Sequence, residues 1–178
     1  MAQLIDGKAI SQAIKDEVKE QVGALKEKGI EVTLAVIQVG TNPASTIYVN
    51  NKKKACAYTG IRSLSYELPE ETSQEELLDL VRELNERKDV NGILVQLPLP
   101  PHMDEDAVIR TISPEKDVDG FHPVNVGLLS IGDDCYAPAT PSGIIAMFKE
   151  YGIEIAGKHC VIIGRSNIVG KPMALLLL

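Results

Sequence analysis

Residues 33–43, Thr33-Leu34-Ala35-Val36-Ile37-Gln38-Val39-Gly40-Thr41-Asn42-Pro43, decide the fold. The run Thr33 to Val39 is apolar and rich in β-branched side chains, and it stops at Gly40, as a buried strand does. Asn42 then offers an N-cap and Pro43 a first-turn residue, so a helix begins there. That helix is expected to reach about Tyr58 and to stop at Gly60. A strand that feeds directly into a helix is half of a βαβ unit.

The same alternation extends in both directions. Upstream, Ile10, Ile14, Val18, Val22 and Leu25 recur at helical spacing and predict an amphipathic helix over 8–27. Downstream, Ile61 to Leu68 alternates loosely and reads as a second strand. Ser73 and Glu76 form a capping box, and Leu77, Val81 and Leu84 give the following helix its apolar stripe. Gly92 precedes a third strand, Ile93 to Leu97, which stops at Pro98. A further helix covers roughly Asp104 to Ile112. Strands separated by helices imply a mostly parallel sheet covered on both faces, an α/β/α three-layer domain.

Beyond this, residues 113–140 carry many turn formers and little periodicity, and read as site loops and a connection. A helix from Pro141 to about Tyr151 follows, with Ile144, Ile145 and Phe148 as its apolar side. His159 to Ile163 reads as a strand, and Gly164 to Gly170 as a turn into a last helix. The expected division is therefore an α/β/α catalytic domain over 1–139, then a linker helix and the beginning of a Rossmann-like dinucleotide-binding domain over 140–178. A dinucleotide domain needs several parallel strands, so the chain reads as a piece of a longer protein.

Composition narrows the function classes. The 178 residues are 44% hydrophobic and 24% charged, ordinary for a soluble globular protein, and with no Trp and 2 Phe the core must be aliphatic. A net charge of −7 argues against a nucleic-acid partner, and the basic run Lys52-Lys53-Lys54 is too short to reverse that. Three cysteines without a CxxC suit a reducing cytosol. The start, Met1-Ala2-Gln3-Leu4-Ile5-Asp6, has neither the basic nor the apolar region of a signal peptide, and no membrane segment is expected. The three histidines show no metal-ligand spacing.

Several residues could carry chemistry. Ser45, Tyr48 and Lys52 share one helix face, while Lys54 lies about 160° away round the helix. The plain alternative for the lysine run is a solvated face. Gln96, an amide near the carboxyl end of an apolar strand, must be paired or face a ligand. Its plain alternative is a structural tie to the proline turn. Lys116-Asp117-Val118-Asp119-Gly120 is either a simple turn or a carboxylate site for a heterocycle rich in N–H donors. Gly164-Arg165-Ser166, with Gly170 and Pro172, departs from the usual G-x-G-x-x-G spacing. As a strand-turn-helix it could still present N–H groups to a phosphate. Arg165 would favour a 2′-phosphate, hence NADP over NAD; its plain alternative is a surface arginine.

Taken together, four ordered segments resemble one family: Tyr48-Val49-x-x-Lys52, Val95-Gln96-Leu97-Pro98-Leu99-Pro100, Lys116-Asp117-Val118-Asp119-Gly120 and Gly164-Arg165-Ser166-Asn167-Ile168-Val169-Gly170-Lys171-Pro172. Pro138-Ala139-Thr140-Pro141-Ser142-Gly143 also resembles its linker. On these residues the chain is similar to the bifunctional methylenetetrahydrofolate dehydrogenase/cyclohydrolases over essentially its whole length. The resemblance implies oxidation of 5,10-methylenetetrahydrofolate by NADP+ and hydrolysis of the methenyl product to 10-formyltetrahydrofolate, within one-carbon metabolism and purine biosynthesis. It implies a cytoplasmic enzyme, homodimeric at full length, with a folate substrate and no nucleic-acid or membrane partner.

The roles it implies are specific. Lys52 is the central catalytic group and Gln96 tunes it. Tyr48 packs on the folate rings, Asp119 holds the pterin, and Ser45, Val95 and Leu97 complete the substrate site. Gly164, Arg165 and Ser166 contact NADP. A folate-binding module without catalysis, or a dehydrogenase lacking the hydrolase, would be the rival readings. With little of the cofactor domain in the sequence, the purified 178-residue chain is expected to form negligible NADPH from methylenetetrahydrofolate; robust NADPH absorbance growth in a spectrophotometric assay would contradict this.

Overall fold

Several helix ends fall where capping chemistry puts them. In this computed structural model, residues 3–178 are described. Met1 and Ala2, part of the start read as free of a signal peptide, lie outside the described residues. The elements run α1 (Gly7–Glu27), β1 (Thr33–Val39), α2 (Pro43–Thr59), β2 (Arg62–Leu68), α3 (Gln74–Glu86), β3 (Gly92–Val95), α4 (Glu105–Thr111), α5 (Pro123–Ile131), α6 (Ala139–Glu150) and α7 (Gly170–Leu176). They form two compact units: residues 3–14 with Val118–Leu178, and Lys15–Asp117.

In the Lys15–Asp117 unit the three strands are parallel, in the order β2-β1-β3. Thr33 lies opposite Arg62, Val39 opposite Leu68, and Ile37 opposite Val95. The central strand is covered on both faces, so Ala35, Val36 and Ile37 are all 0% exposed. Alternation sends Ala35, Ile37 and Val39 into one cluster with Ile93, Val95 and the α3 stripe Leu77, Val81 and Leu84. Val36 points the opposite way, and α2, which packs on β1 and β2, buries Val49 and Cys56. Each fully buried aliphatic side chain contributes about 2 kcal/mol. The free edge of β2 carries Arg62 and Glu67, charges that discourage further strand addition.

The ends of α2 and α3 agree with their sequence signals. Asn42 Oδ1 accepts from the Ala44 and Ser45 N–H groups, and Gly60 closes α2 in the left-handed region. Ser73 and Glu76 complete the capping box reciprocally, and these bonds hold the Glu76 carboxyl below its usual range. The C-terminus of α3 has a cap that sequence analysis did not anticipate. Lys116 Nζ donates to the carbonyls of Leu84 (3.1 Å), Asn85 (2.7 Å) and Arg87 (2.7 Å). A cation there satisfies orphan carbonyls and complements the helix dipole. The Lys116 carbonyl accepts from Ile93 N–H at 2.7 Å, and Asp117 bridges Ile93 in parallel. The 116–117 stretch thus lies along β3.

The structure corrects several expectations. The third strand ends at Val95 rather than Leu97, although Gln96 N–H still donates to the Ile37 carbonyl. Of the α1 stripe only Val22 is buried, and Ile14 is 45% exposed. The stretch read as loops contains α5, capped by His122 Nδ1 accepting from Val124 N–H and closed by Gly132. Helix α6 starts at Ala139, two residues early, and buries Pro141 rather than its isoleucines. Residues 159–163 form no strand. A strand exists only within a ladder, and among the described residues none pairs with this segment; Val161 and Ile163 lie open to solvent.

The Lys116 cap yields a stability prediction. Lys116→Met strips three carbonyls of their donor and is expected to lower the unfolding free energy by about 1–3 kcal/mol. Urea denaturation followed by circular dichroism measures this, and an unchanged midpoint would show that the cap adds no stability.

Candidate active site

The strand order creates a preferred place for chemistry. From β1 the chain crosses to β2 on one side, then returns past β1 to β3 on the other. Open α/β sheets bind ligands outside the carboxyl ends of the strands at such a reversal. Here that edge holds a cleft of about 300 Å³ bordered by Gly40, Asn42, Glu70 and the Pro98–Pro101 turn. The Leu97–Pro98 peptide in that turn is cis.

Helix α2 delivers side chains to this edge. At about 100° per residue, Ser45, Val49, Lys52, Cys56 and Thr59 share its inner stripe, and all but Lys52 are buried. Burial pushes the Cys56 thiol up, away from thiolate chemistry. The three adjacent lysines therefore meet three environments. Lys52 is half-buried, and its Nζ donates to Gln96 Oε1 at 2.8 Å. Lys53 pairs with Glu67 on β2, whose carboxyl the hydrogen bond and charge of Lys53 hold below its usual range. Lys54 faces solvent. The solvated-face reading fits Lys54 and fails for Lys52.

Gln96 follows β3 directly. Its Nε2 donates to the Leu97 carbonyl at 2.7 Å. The hydroxyl of Ser45, 4% exposed, donates to the same oxygen across a long 3.5 Å. Val95 lies in the core cluster and Leu97 packs against it, so these residues present backbone more than side chain to the edge. Tyr48, one turn before Lys52, is 63% exposed. Sequence analysis missed Gln38, a 5% exposed amide on β1. Its Nε2 donates to the Gly40 carbonyl (3.0 Å) and Thr46 Oγ1 (2.9 Å), tying β1 to the first turn of α2. The signal available was the one amide interrupting an apolar strand.

Ser45, Tyr48, Lys52, Val95, Gln96 and Leu97 all lie in the Lys15–Asp117 unit. Asp119 belongs to the other unit, half-buried in the turn before Gly120. Gly120 has φ 68°, and a Cβ there would meet the Tyr136 carbonyl oxygen at 2.3 Å, so only glycine fits. Gly164, Arg165 and Ser166 lie in that unit too. Ser166 Oγ accepts from the Val169 and Gly170 N–H groups, closing the turn ahead of α7. A Cβ at Gly170 would lie 2.5 Å from the Gly164 carbonyl oxygen. Such a glycine-tight turn with an exposed Arg165 guanidinium suits a phosphate group. Among the described residues no cluster of three His, Cys, Asp or Glu side chains could hold a metal, and no helix is long and apolar enough to cross a membrane.

Two family models match the chain: the tetrahydrofolate dehydrogenase/cyclohydrolase catalytic domain over residues 5–119, and the NAD(P)-binding domain of the same name over residues 138–178. Bifunctional protein FolD of Lachnoclostridium phytofermentans is 68% identical over 178 residues, covering 100% of this chain and 63% of that protein. Its counterpart in Agathobacter rectalis is 63% identical, with coverage of 100% and 64%. The chain thus spans less than two thirds of the length of these curated relatives. Among solved structures, the bifunctional FolD dehydrogenase/cyclohydrolase of Campylobacter jejuni superposes with TM-score 0.97 at 54% identity, covering 98% of this chain and 62% of that one. The Trypanosoma brucei dehydrogenase-cyclohydrolase, complexed with NADP cofactor and an inhibitor, gives TM-score 0.95 at 43% identity, with coverage of 99% and 61%.

The pairing of Lys52 with a neutral amide has a measurable consequence. A carboxylate in place of Gln96 would hold the ammonium as an ion pair. Gln96→Glu is expected to raise the pH at which Lys52 loses its proton, read by nitrogen NMR of isotope-labelled lysine; a titration identical to the parent's would show that position 96 does not tune the amine.

Proposed function

The chain belongs to the tetrahydrofolate dehydrogenase/cyclohydrolase family, and from that premise we propose that its protein oxidises 5,10-methylenetetrahydrofolate with NADP+ and hydrolyses the 5,10-methenyl product to 10-formyltetrahydrofolate. The observation that carries the reading is the 2.8 Å contact between Lys52 Nζ and Gln96 Oε1 at the carboxyl edge of the sheet. The names of the similar bifunctional proteins support both activities, and the NADP complex of the Trypanosoma brucei enzyme supports the cofactor. We read residues 1–139 as the folate-site domain and 140–178 as the linker helix and first part of the cofactor domain. A cytosolic homodimer completes the reading.

Lys52 moves the protons of the hydrolysis. Its neutral amine takes a proton from water as the water oxygen bonds to the methenyl carbon, which discharges the folate cation. The resulting ammonium returns a proton to N5 as the bond from that carbon to N5 breaks. The hydroxyl proton leaves to solvent and the formyl group stays on N10. A group working in both directions must titrate near the operating pH. Gln96 suits this, because its amide oxygen orients the ammonium without adding a counter-charge.

Tyr48, exposed one turn earlier on α2, offers a flat face for the folate rings. Asp119 accepts paired N–H donors of the pterin, and Ser45, Val95 and Leu97 complete the wall of the folate site. Gly164, Arg165 and Ser166 would hold the cofactor phosphates. When bound, NADP+ supplies the hydride acceptor for the oxidation, and the protein's task in that step is alignment.

The test is Lys52→Met in the protein at the full length of its relatives. Methenyltetrahydrofolate hydrolysis is expected to fall by about 10²–10⁴-fold, with thermal unfolding little changed. Unchanged hydrolysis would remove Lys52 from the mechanism.

A further inference from the structure

The Pro98–Pro101 turn follows Gln96 and Leu97 directly and borders the cleft at the sheet edge. Its sequence leaves it little backbone bonding of its own. Pro98, Pro100 and Pro101 have no N–H, so within the turn only Leu99 can donate from its main chain. Leu99 is buried in the core cluster, and a buried N–H needs a partner. The partner lies outside the turn: Glu105 Oε1 accepts from Leu99 N–H at 3.1 Å. At the other end, Gln96 N–H donates to the Ile37 carbonyl at 2.8 Å. The turn therefore hangs between β1 and one carboxylate.

That carboxylate has a firm support. Glu105 is half-buried in the first turn of α4, where a negative charge also complements the helix dipole. The segment before it is braced on the start of α3 at two points. Gln74, the first residue of α3, accepts from Asp104 N–H at 2.8 Å and donates back to the Asp104 carbonyl across 3.4 Å. His102 Nε2 donates to the Thr72 carbonyl at 2.9 Å. Asp104 completes the frame by accepting from Ala107 N–H at 3.1 Å. Helix α3 is in turn packed on the sheet through Leu77, Val81 and Leu84. A continuous path thus runs from the core, through α3 and the start of α4, to the backbone of Leu99.

We propose that Glu105 is a positioning residue: its carboxylate oxygen holds the Leu99 backbone and so sets the proline turn that walls the folate site. Glu105 does not border the cleft, so it acts through the turn. This rests on the folate site proposed at this edge and adds a residue from outside its lining. The hydrogen bond does the positioning, and the charge is incidental.

The experiment uses the protein at the full length of its relatives. Glu105→Ala orphans the Leu99 N–H and is expected to raise KM for methenyltetrahydrofolate about fivefold. KM does not depend on the fraction of enzyme that is folded, so a general loss of stability would not move it. Glu105→Gln keeps a side-chain oxygen and drops the charge, and is expected to stay within about twofold of the parent. Asp106→Asn removes a charge from the same first turn of α4 and is expected to do likewise. The Leu99 amide proton, followed by NMR of leucine-labelled protein, is expected to exchange faster in Glu105→Ala than in the parent. Exchange needs no folate, so failure of the tie and failure of the folate assignment are read separately. An unchanged KM in Glu105→Ala would overturn the proposal. So would Leu99 exchange equal to the parent's, or a Glu105→Gln variant as impaired as Glu105→Ala.

Discussion

Central strand β1 is the constraint to which the rest of the Lys15–Asp117 unit answers. It pairs on both edges and is covered on both faces, so almost every position must be apolar. Thr33 and Gln38 are its polar residues, and the bonds of Gln38 explain why that amide is tolerated. The amide satisfies itself on Gly40 and Thr46, converting a costly buried polar group into a tether between the strand end and α2. Because α2 is fixed there, the residues along its inner stripe arrive at defined depths. Ser45 is buried, Lys52 half-buried and Tyr48 exposed, in keeping with their angles round the helix.

At the sheet edge a cation meets a neutral acceptor. Lys53, one residue away, meets the carboxylate of Glu67 and becomes an ordinary ion pair worth little in water. Lys52 meets an amide. Neighbours of identical type thus meet different partners, a carboxylate for Lys53 and an amide oxygen for Lys52. Asp119 is prepared differently, by a turn whose glycine is required by the Tyr136 carbonyl against it.

Much of this was legible in the sequence, and the exceptions have physical causes. The α2 boundaries, the capping box and the parallel sheet follow from local rules, since Asn42, Gly60, Ser73 and Glu76 act within a few residues of themselves. Helix α5 was overlooked because its periodicity is weak, although Pro123 at its start and Gly132 at its end mark it as clearly as the caps of α2. The missing strand at 159–163 shows the converse: β-branched composition expresses willingness to pair, and only a neighbour makes a ladder. The Lys116 cap joins residues about thirty positions apart, and the Leu97 carbonyl is backbone. No reading of side-chain types finds either. Lys52 and Gln96 stood out by motif, and their 2.8 Å contact is a geometric fact that sequence could only suggest.

The tri-lysine run has a geometric consequence. Losing one residue between Val49 and Lys52 would rotate the following helix by about 100° and bring Lys53 into the slot opposite Gln96; losing two would bring Lys54. Gaining one would bring Asn51, which carries no amine. Three identical residues in a row would thus keep an amine opposite Gln96 after a short deletion but not after an insertion, while Cys56 and Thr59 would leave the buried stripe in either case.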